Sequence, residues 1–351
     1  MRNYVLKRLV ALVPTLFGIT LIAFIIINLA PGSPVEQKLQ QMRFGGAANA
    51  SMGGGGMSFS TGRNGQAVNQ SVIDALNQQY GFDRPVLFRY GIWLRNLARL
   101  DFGRSFTYEE PVRDVIVRKL SVSLQFGVMS FLLTYLICIP LGAMKADRHG
   151  SRFDSGTSVL LLLAYSTPPF MLAILLIVIF GGGSFLNWFP IAGMVSDNYE
   201  DLATGAKVWD RIHHVILPLG CYVLGEFTTV TVLMKNSLLE EIGKDYVRTA
   251  RAKGLPERRI TYKHALRNAL IPVVTGFRGF LTVFFALSIF LEKIFGLDGM
   301  GLLGYNAVLQ RDYNVIMGLL VTQSFLFLLA NLMGDLVYVL IDPRLQFAGG
   351  G

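Results

Sequence analysis

Charge is scarce in this chain. Of its 351 residues only 16% are Asp, Glu, Lys or Arg, against about 25% in an average soluble protein, while 52% are hydrophobic and the mean hydropathy is +0.47. That balance excludes a soluble globule. It also excludes disorder, because a low-charge chain with 12% aromatic residues has ample apolar surface to bury. Cysteine is scarcer still. Cys138 and Cys221 both lie within apolar runs, so a disulfide-built secreted scaffold is excluded and each thiol is expected to behave as a small hydrophobe.

Signatures of catalysis and nucleotide binding are missing as well. H-E-x-x-H, C-x-x-C and G-x-S-x-G do not occur, and His149, His213, His214 and His264 are expected in loops, without ligand spacing to one another. Zinc and serine chemistry are therefore not expected, and neither a catalytic nor a metal site is assigned. Without a G-x-x-x-x-G-K-[ST] run the chain has no P-loop to cradle ATP phosphates. One G-x-G-x-x-G, at Gly299, Gly301 and Gly304, lacks a preceding strand and an acidic partner about 20 residues on. It reads as a glycine-rich turn beside a re-entrant or interfacial segment.

Long apolar stretches are abundant. A bilayer core needs about 20 predominantly apolar residues per helix, and six stretches qualify: Leu9 to Ala30, Ser121 to Met144, Thr157 to Gly182, Val215 to Met234, Ile271 to Phe295 and Val315 to Ile341. The expected fold is an all-α polytopic membrane protein with six transmembrane helices. The first stretch exceeds the apolar core of a signal peptide, about 7 to 15 residues, and no A-x-A-like site follows it, so a retained anchor is expected.

The net charge of +9 would suggest nucleic acid in a soluble chain; here its placement points to membrane topology. Arg2, Lys7 and Arg8 precede the first stretch, and Lys145, Arg148 and Arg152 follow the second. Nine more lie between stretches four and five: Lys235, Lys244, Arg248, Arg251, Lys253, Arg258, Arg259, Lys263 and Arg267. The alternate short loops carry only Lys207 with Arg211 and Lys293 with Arg311. Both termini and the basic loops are thus expected in the cytoplasm, and no nucleic-acid partner.

The expected organisation follows from these boundaries. Residues 1–30 form a cytoplasmic tip and the first helix, and residues 31–120 an extracytoplasmic segment. Within it, a Gly-, Ser- and Asn-rich insert spans 44–71 and a helical part spans 72–118, with one helix from Ser71 toward Gly81 and another from Pro85 to Leu100. Residues 121–341 form the membrane core, with a cytoplasmic loop at 235–271, and residues 342–351 a tail.

Few ionisable residues fall inside the stretches. Glu226 lies near the middle of the fourth and Arg278 about two turns into the fifth; each is costly facing lipid, which makes both candidate linings of a translocation path. Snorkelling to the interface is the alternative for Arg278. Prolines mark kinks, most strongly at Tyr165-Ser-Thr-Pro-Pro169, where Ser166 and Thr167 are able to bond back to the opened turn.

The loop from Lys235 to Pro272 is the most informative segment. Residues 237–253 carry a helix pattern, with Glu240, Glu241 and Asp245 early and Arg248, Arg251 and Lys253 late, as the helix dipole favours. Gly254 is placed to supply a left-handed cap, and Pro256 suits the start of a following helix. Small residues at Thr249, Ala250 and Ala252 allow such an element to dock closely into a groove on a cytoplasmic partner; an ordinary solvated amphipathic loop is the alternative, and the residues alone favour it.

This loop resembles the "EAA" coupling loop of ABC importer permeases. Ala250, Gly254 and Leu266 match the general pattern. The departures resemble the oligopeptide and dipeptide branch, whose Y-V-R-T-A-R-A-K-G wording stands here at Tyr246 to Gly254 and whose H-x-x-R-N-A stands at His264 to Ala269. The similarity extends to Leu29-Ala-Pro-Gly, Leu100-Asp-Phe-Gly-Arg-Ser105, Ile139-Pro-Leu-Gly142 and Tyr338-Val-Leu-Ile-Asp-Pro-Arg344. Within the branch the chain is most similar to the YejB type, linked to oligopeptides and the peptide-nucleotide antibiotic microcin C.

The resemblance implies a type I importer permease in the bacterial inner membrane, itself no enzyme and binding no cofactor. ATP and Mg would be bound by cytoplasmic ATPase subunits, a periplasmic or extracellular peptide-binding protein would deliver cargo, and a homologous second permease would complete a heterodimer in lipid. It also implies that Asp245, Tyr246, Arg248, Thr249, Ala250, Arg251, Gly254, His264, Leu266 and Arg267 couple to the ATPase. The alternatives are a self-sufficient secondary transporter, which should show inverted repeats or carboxylate relays, or a permease for another solute such as nickel.

Overall fold

The computed structural model describes residues 2–29, 85–181, 185–275 and 288–341. The insert at 44–71, the helix expected after Ser71, Arg278 and the 342–351 tail lie outside the described residues. Regular structure among the described residues is helical, apart from one isolated bridge between Arg104 and Pro111. The helices are α1 (Arg2–Leu29), α2 (Val86–Leu97), α3 (Val112–Asp147), α4 (Arg152–Ser166), α5 (Pro169–Phe180) and α6 (Thr204–Ile242). They continue with α7 (Asp245–Ala252), α8 (Leu266–Thr275), α9 (Ser288–Ile294), α10 (Met300–Leu309) and α11 (Tyr313–Ile341). An apolar solvent offers no hydrogen bonds, so long apolar runs satisfy their backbone within themselves. Among the described residues three helices are long and apolar enough to cross a membrane, namely α3, α6 and residues 313–334 of α11, or four if the α4–α5 pair counts as one span.

Two expectations are corrected. The third apolar stretch is not one continuous span, because α4 and α5 meet at 104°. Pro168 pushes Thr167 into the extended region (φ −93°, ψ 119°) and supplies no N–H to continue the ladder. The opened turn is re-bonded by its own hydroxyls: Ser166 Oγ donates to the Leu162 carbonyl at 2.8 Å and Thr167 Oγ1 to that of Leu163 at 3.0 Å. The second correction concerns residues 237–253, which are not one helix. α6 ends at Ile242, Lys244 is extended (φ −75°, ψ 153°), and α7 starts afresh at Asp245. Of the fifth stretch, the start lies in α8 and the end in α9, with residues 276–287 between them outside the described set.

The chain divides into two units, one gathering Lys119–Leu302 with the chain ends up to Leu6 and from Leu326, the other Lys7–Arg118 and Leu303–Phe325. Among the described residues the larger unit shows two apolar cores. The first joins α3 (Cys138, Ala143, Ala146), α6 (Val230, Met234, Leu238), Val247 of α7 and the segment from Ile260 to Val273. The second joins Phe126, Ala173, α6 from Val215 to Val223, and Leu291, Phe295 and Leu297. Both cysteines are buried and free, as small hydrophobes would be. At Gly142 a Cβ would come within 2.7 Å of Met234 Cβ and the Thr231 carbonyl, so only glycine allows α3 to approach α6 this closely. In the smaller unit, α2 packs Tyr90 against Phe24 and Met317, its hydroxyl 3.0 Å from Thr20 Oγ1.

Candidate coupling site

The segment after α6 is built on a buried hinge. At its start Glu241, 9% exposed, takes the Lys244 ammonium and accepts the Tyr246 hydroxyl at 2.6 Å. Burial pushes the Glu241 carboxyl up, but these partners outweigh it and hold the group below its ordinary value; the Lys244 ammonium is held above its own, chiefly by Glu241. Tyr246 stands five residues after Glu241, a spacing that one continuous helix would place on different faces, so the break at Lys244 permits this contact.

α7 then divides its residues between two faces. Val247 is fully buried and Ala250 packs on the same core, anchoring the helix to Ile260, Ala265 and Ala269. Asp245, Tyr246, Arg248, Thr249 and Arg251 are exposed on the other side. Gly254 ends α7 with φ +75°, where any other residue would be strained. The Gly254 amide donates to the Arg251 carbonyl at 2.9 Å and the Leu255 amide to that of Ala250 at 3.3 Å, the paired bonds of a Schellman cap. Arg251 reaches across the turn to Glu257, at 2.6 Å and 3.1 Å, and holds its carboxyl below the ordinary range. Pro256 precedes a helical turn (Glu257–Arg259), which passes into a π-helical turn (Ile260–Ala265) and then α8.

The return segment shows the same division. Ile260, Thr261 and Ala265 are buried and Leu266 packs partly on the core, while His264 and Arg267 are exposed. Of the residues expected to couple, Asp245, Tyr246, Arg248, Thr249, Arg251, Gly254, His264 and Arg267 are exposed, while Ala250 and Leu266 pack on the shared core. Glu226 is a separate matter: it lies partly buried on α6, between Val223 and Val230 of the two cores. Arg278 lies outside the described residues.

A second polar feature, beside the same end of α6, was not anticipated. Asp154, 4% exposed, accepts both contacts of Lys235 Nζ at 2.7 and 2.8 Å, lies 3.1 Å from Lys145 Nζ and accepts the Gly150 amide at 3.2 Å. Lys145, 1% exposed, also donates to the Asp154 carbonyl at 2.8 Å, Thr157 Oγ1 at 2.6 Å and Ser158 Oγ at 2.9 Å. The Lys235 hydrogen bond above all holds the Asp154 carboxyl far below the usual carboxylate range, against the opposing effect of burial. One carboxylate thus ties α3, α4 and α6 together. A signal for it was present in Ser151-x-x-Asp154, a helix-start pattern; Ser151 Oγ accepts the Asp154 amide at 3.3 Å.

At the opposite end of α6's unit, Glu292, 2% exposed, accepts the Leu302 amide at 2.6 Å and Ser123 Oγ at 3.3 Å, capping the start of α10. Gly299 lies so close to Glu292 and Ser123 that no Cβ fits, whereas Gly301 and Gly304 lie within α10 and not in the turn expected from the run. In the smaller unit Asp312, 1% exposed, accepts Ser105 Oγ at 2.5 Å and the Phe106 and Thr107 amides at 2.9 and 3.1 Å. Among the described residues no group of His, Cys, Asp and Glu is placed to hold a metal ion.

Comparison with known proteins matches this architecture at two levels. Residues 138–347 match the family described as binding-protein-dependent transport system inner membrane component. Over 99% of both chains the sequence is 44% identical to a peptidoglycan transport system permease protein YejB of Agrobacterium fabrum. It is 41% identical to an inner membrane ABC transporter permease protein YejB of Escherichia coli O157:H7, over 99% of this chain and all of that one. An oligopeptide transport system permease protein AppB of Bacillus subtilis is 32% identical over 99% of this chain. In fold, the chain is similar to an inward-facing structure of the MetNI methionine ABC transporter, with a TM-score of 0.50 at 19% identity over 65% of this chain and 96% of that one. The helical architecture is thus that of type I ABC permeases, and this chain belongs to the family of binding-protein-dependent transport system inner membrane components.

Proposed function

We propose that this chain is the membrane-spanning subunit of an ABC importer that carries oligopeptides or peptide-like compounds inward across the inner membrane. The observation that carries the reading is the full-length correspondence, at 32–44% identity, with permeases named for oligopeptide and peptidoglycan transport. In this reading six helices cross the bilayer, both termini are cytoplasmic, and residues 31–120 lie outside. A homologous second permease completes the pathway, an extracytoplasmic binding protein delivers the cargo, and ATPase subunits hold ATP and Mg. Microcin C fits the same cargo class.

The exposed face of α7 is the surface offered to the ATPase. Asp245, Tyr246, Arg248, Thr249, Arg251 and Gly254 present it, with His264 and Arg267 on the return segment. Movement of a docked ATPase would reach α3 and α6 through Val247, because that side chain is packed rigidly in their shared core. Glu226 and Arg278 are assigned to the path itself, as polar groups costly to leave against lipid.

The test is co-purification of the chain with its genomic neighbours and an assay of peptide-stimulated ATP turnover. Arg248→Glu combined with Gly254→Val should abolish stimulation while the chain remains folded; intact assembly and turnover would remove the coupling assignment. Peptide-independent growth defects in a deletion strain, with no change in microcin C sensitivity, would remove the peptide assignment. For Glu226, undiminished uptake in Glu226→Gln and Glu226→Leu leaves only packing.

A further inference from the structure

α4 is held by polar bonds where its neighbours are held by apolar packing. It contributes no residue to either apolar core described above, and of its 15 residues only Asp154 and Leu161 are buried. Both are tied to α6. Lys235 Nζ donates to the Asp154 carboxylate at 2.7 and 2.8 Å, and Thr228 Oγ1 donates to the Leu161 carbonyl at 2.8 Å. The two ties are in register, since Asp154 and Leu161 stand as far apart on α4 as Thr228 and Lys235 do on α6, in the antiparallel sense. That separation is two helical turns, about 10 Å. From α3, Lys145 Nζ grips the same end of α4, donating to the Asp154 carbonyl, Thr157 Oγ1 and Ser158 Oγ. His149 Nδ1 also lies 3.3 Å from the Asp154 carboxylate.

We infer that Asp154 and Lys235 are positioning residues for transport, the handle by which α6 sets the direction of α4. The inference rests on the importer reading above. A single tie would leave α4 free to pivot, whereas two ties two turns apart fix its axis. The kind of tie matters as well. Apolar packing is non-directional and tolerates small rotations, while a charge-assisted bond to one carboxylate admits one register. For stability alone such a pair is a poor device, because well-packed apolar residues of similar volume often do as well or better. Lys235 is also placed to receive motion: its chain neighbour Met234 is packed in the core that holds Val247 of α7. At its other end α4 breaks at Thr167 and meets α5 at 104°, and α5 is seated in the second core through Ala173. A displacement entering at Val247 thus reaches α4 at Asp154 and is taken up at the break.

The test cuts the tie without orphaning a charge. Lys235→Met leaves Asp154 with Lys145 at 3.1 Å and the Gly150 amide at 3.2 Å, and Lys235→Arg is the conservative control. The full-length chain is purified with its ATPase and binding protein and placed in phosphatidylcholine–phosphatidylglycerol nanodiscs. Spin labels on Leu160→Cys of α4 and Glu240→Cys of α6, both exposed positions, report the distance between the helices, with Cys138→Ala and Cys221→Ala removing the native thiols. Lys235→Met should keep its melting temperature and its ATPase but broaden the distance distribution. Stimulation of ATP turnover by a tryptic digest of casein should fall about fivefold or more, and Lys235→Arg should restore both readouts. Thr228→Val removes the second tie, should change both readouts in the same direction, and decides the matter where Lys235→Met does not fold. An unbroadened distance, normal stimulation beside a broadened one, or a loss that Lys235→Arg leaves unrestored overturns the inference. Absence of stimulation in the unsubstituted complex would instead count against the importer reading; the distance measurement, which needs neither peptide nor ATP, would still show whether the ties direct α4.

Discussion

Lysines, arginines and carboxylates meet twice near the same end of α6, with opposite consequences. In the Asp154 cluster Asp154 and Lys145 are buried and Lys235 partly so, and the carboxylate on α4 draws its partners from α3 and α6. On α7 they are exposed and paired only with near neighbours in sequence, as in Arg248 with Asp245 at 3.4 Å and Arg251 with Glu257. The difference teaches what burial does to a charge. A buried charge must be matched by the fold, and so fixes it; an exposed charge is nearly free energetically and remains available to a partner.

The largest expected effect is on the buried side. Asp154→Ala leaves two lysines uncompensated beneath the surface, and a melt of the purified chain in detergent should show a loss of about 3–5 kcal/mol. Adding Lys145→Met and Lys235→Met should recover much of it, since the penalty lies in the orphaned charges; failure to recover would mean that the cluster acts by something other than charge. The pH dependence has a definite sign. A carboxyl held below its usual range contributes stability that is complete above about pH 4 to 5 and is lost as pH falls toward its folded value. Asp154 should therefore cause no decline between neutrality and about pH 5, and Asp154→Ala should flatten only the acid limb below it.

Next in size is the anchor between the two regions. Val247→Ala removes a fully buried side chain and should cost about 2 kcal/mol, with a fall in ATP turnover coupled to peptide. Tyr246→Phe deletes only the hydroxyl that reaches Glu241 and should cost about 1 kcal/mol, read as a small drop in melting temperature. The smallest structural effect is expected at Arg251, where Arg251→Ala should leave the melt unchanged but weaken capture of the ATPase. A drop in stability comparable with that of Asp154→Ala would erase the distinction between the regions.

Much of the fold was legible because its signals are local. Pro168 with Pro169 marked the break between α4 and α5, and Ser166 and Thr167 marked how it is re-bonded. Gly254 marked the cap of α7 because a left-handed position favours glycine. The angle of 104° at the first of these was not legible, since a proline pair opens a helix without setting its direction. The break at Lys244 was hidden because the contact it permits, Tyr246 with Glu241 five residues back, has a spacing that helical periodicity does not mark. Asp154 was missed for a similar reason: Lys235 stands 81 residues away, and nothing in either neighbourhood announces the other.

What the sequence by itself determined is the solvent: long apolar runs demand a membrane and closed helical backbones, and the placement of lysine and arginine sets an expectation of sidedness. It also marked the loop where charge is concentrated. Only the tertiary structure decided which of those charges are spent on the fold and which face outward, because that depends on the separation of side chains far apart in the chain. Burial converts a composition into a division of labour. Asp154 with its two lysines holds the helices, and the charges of α7 face outward.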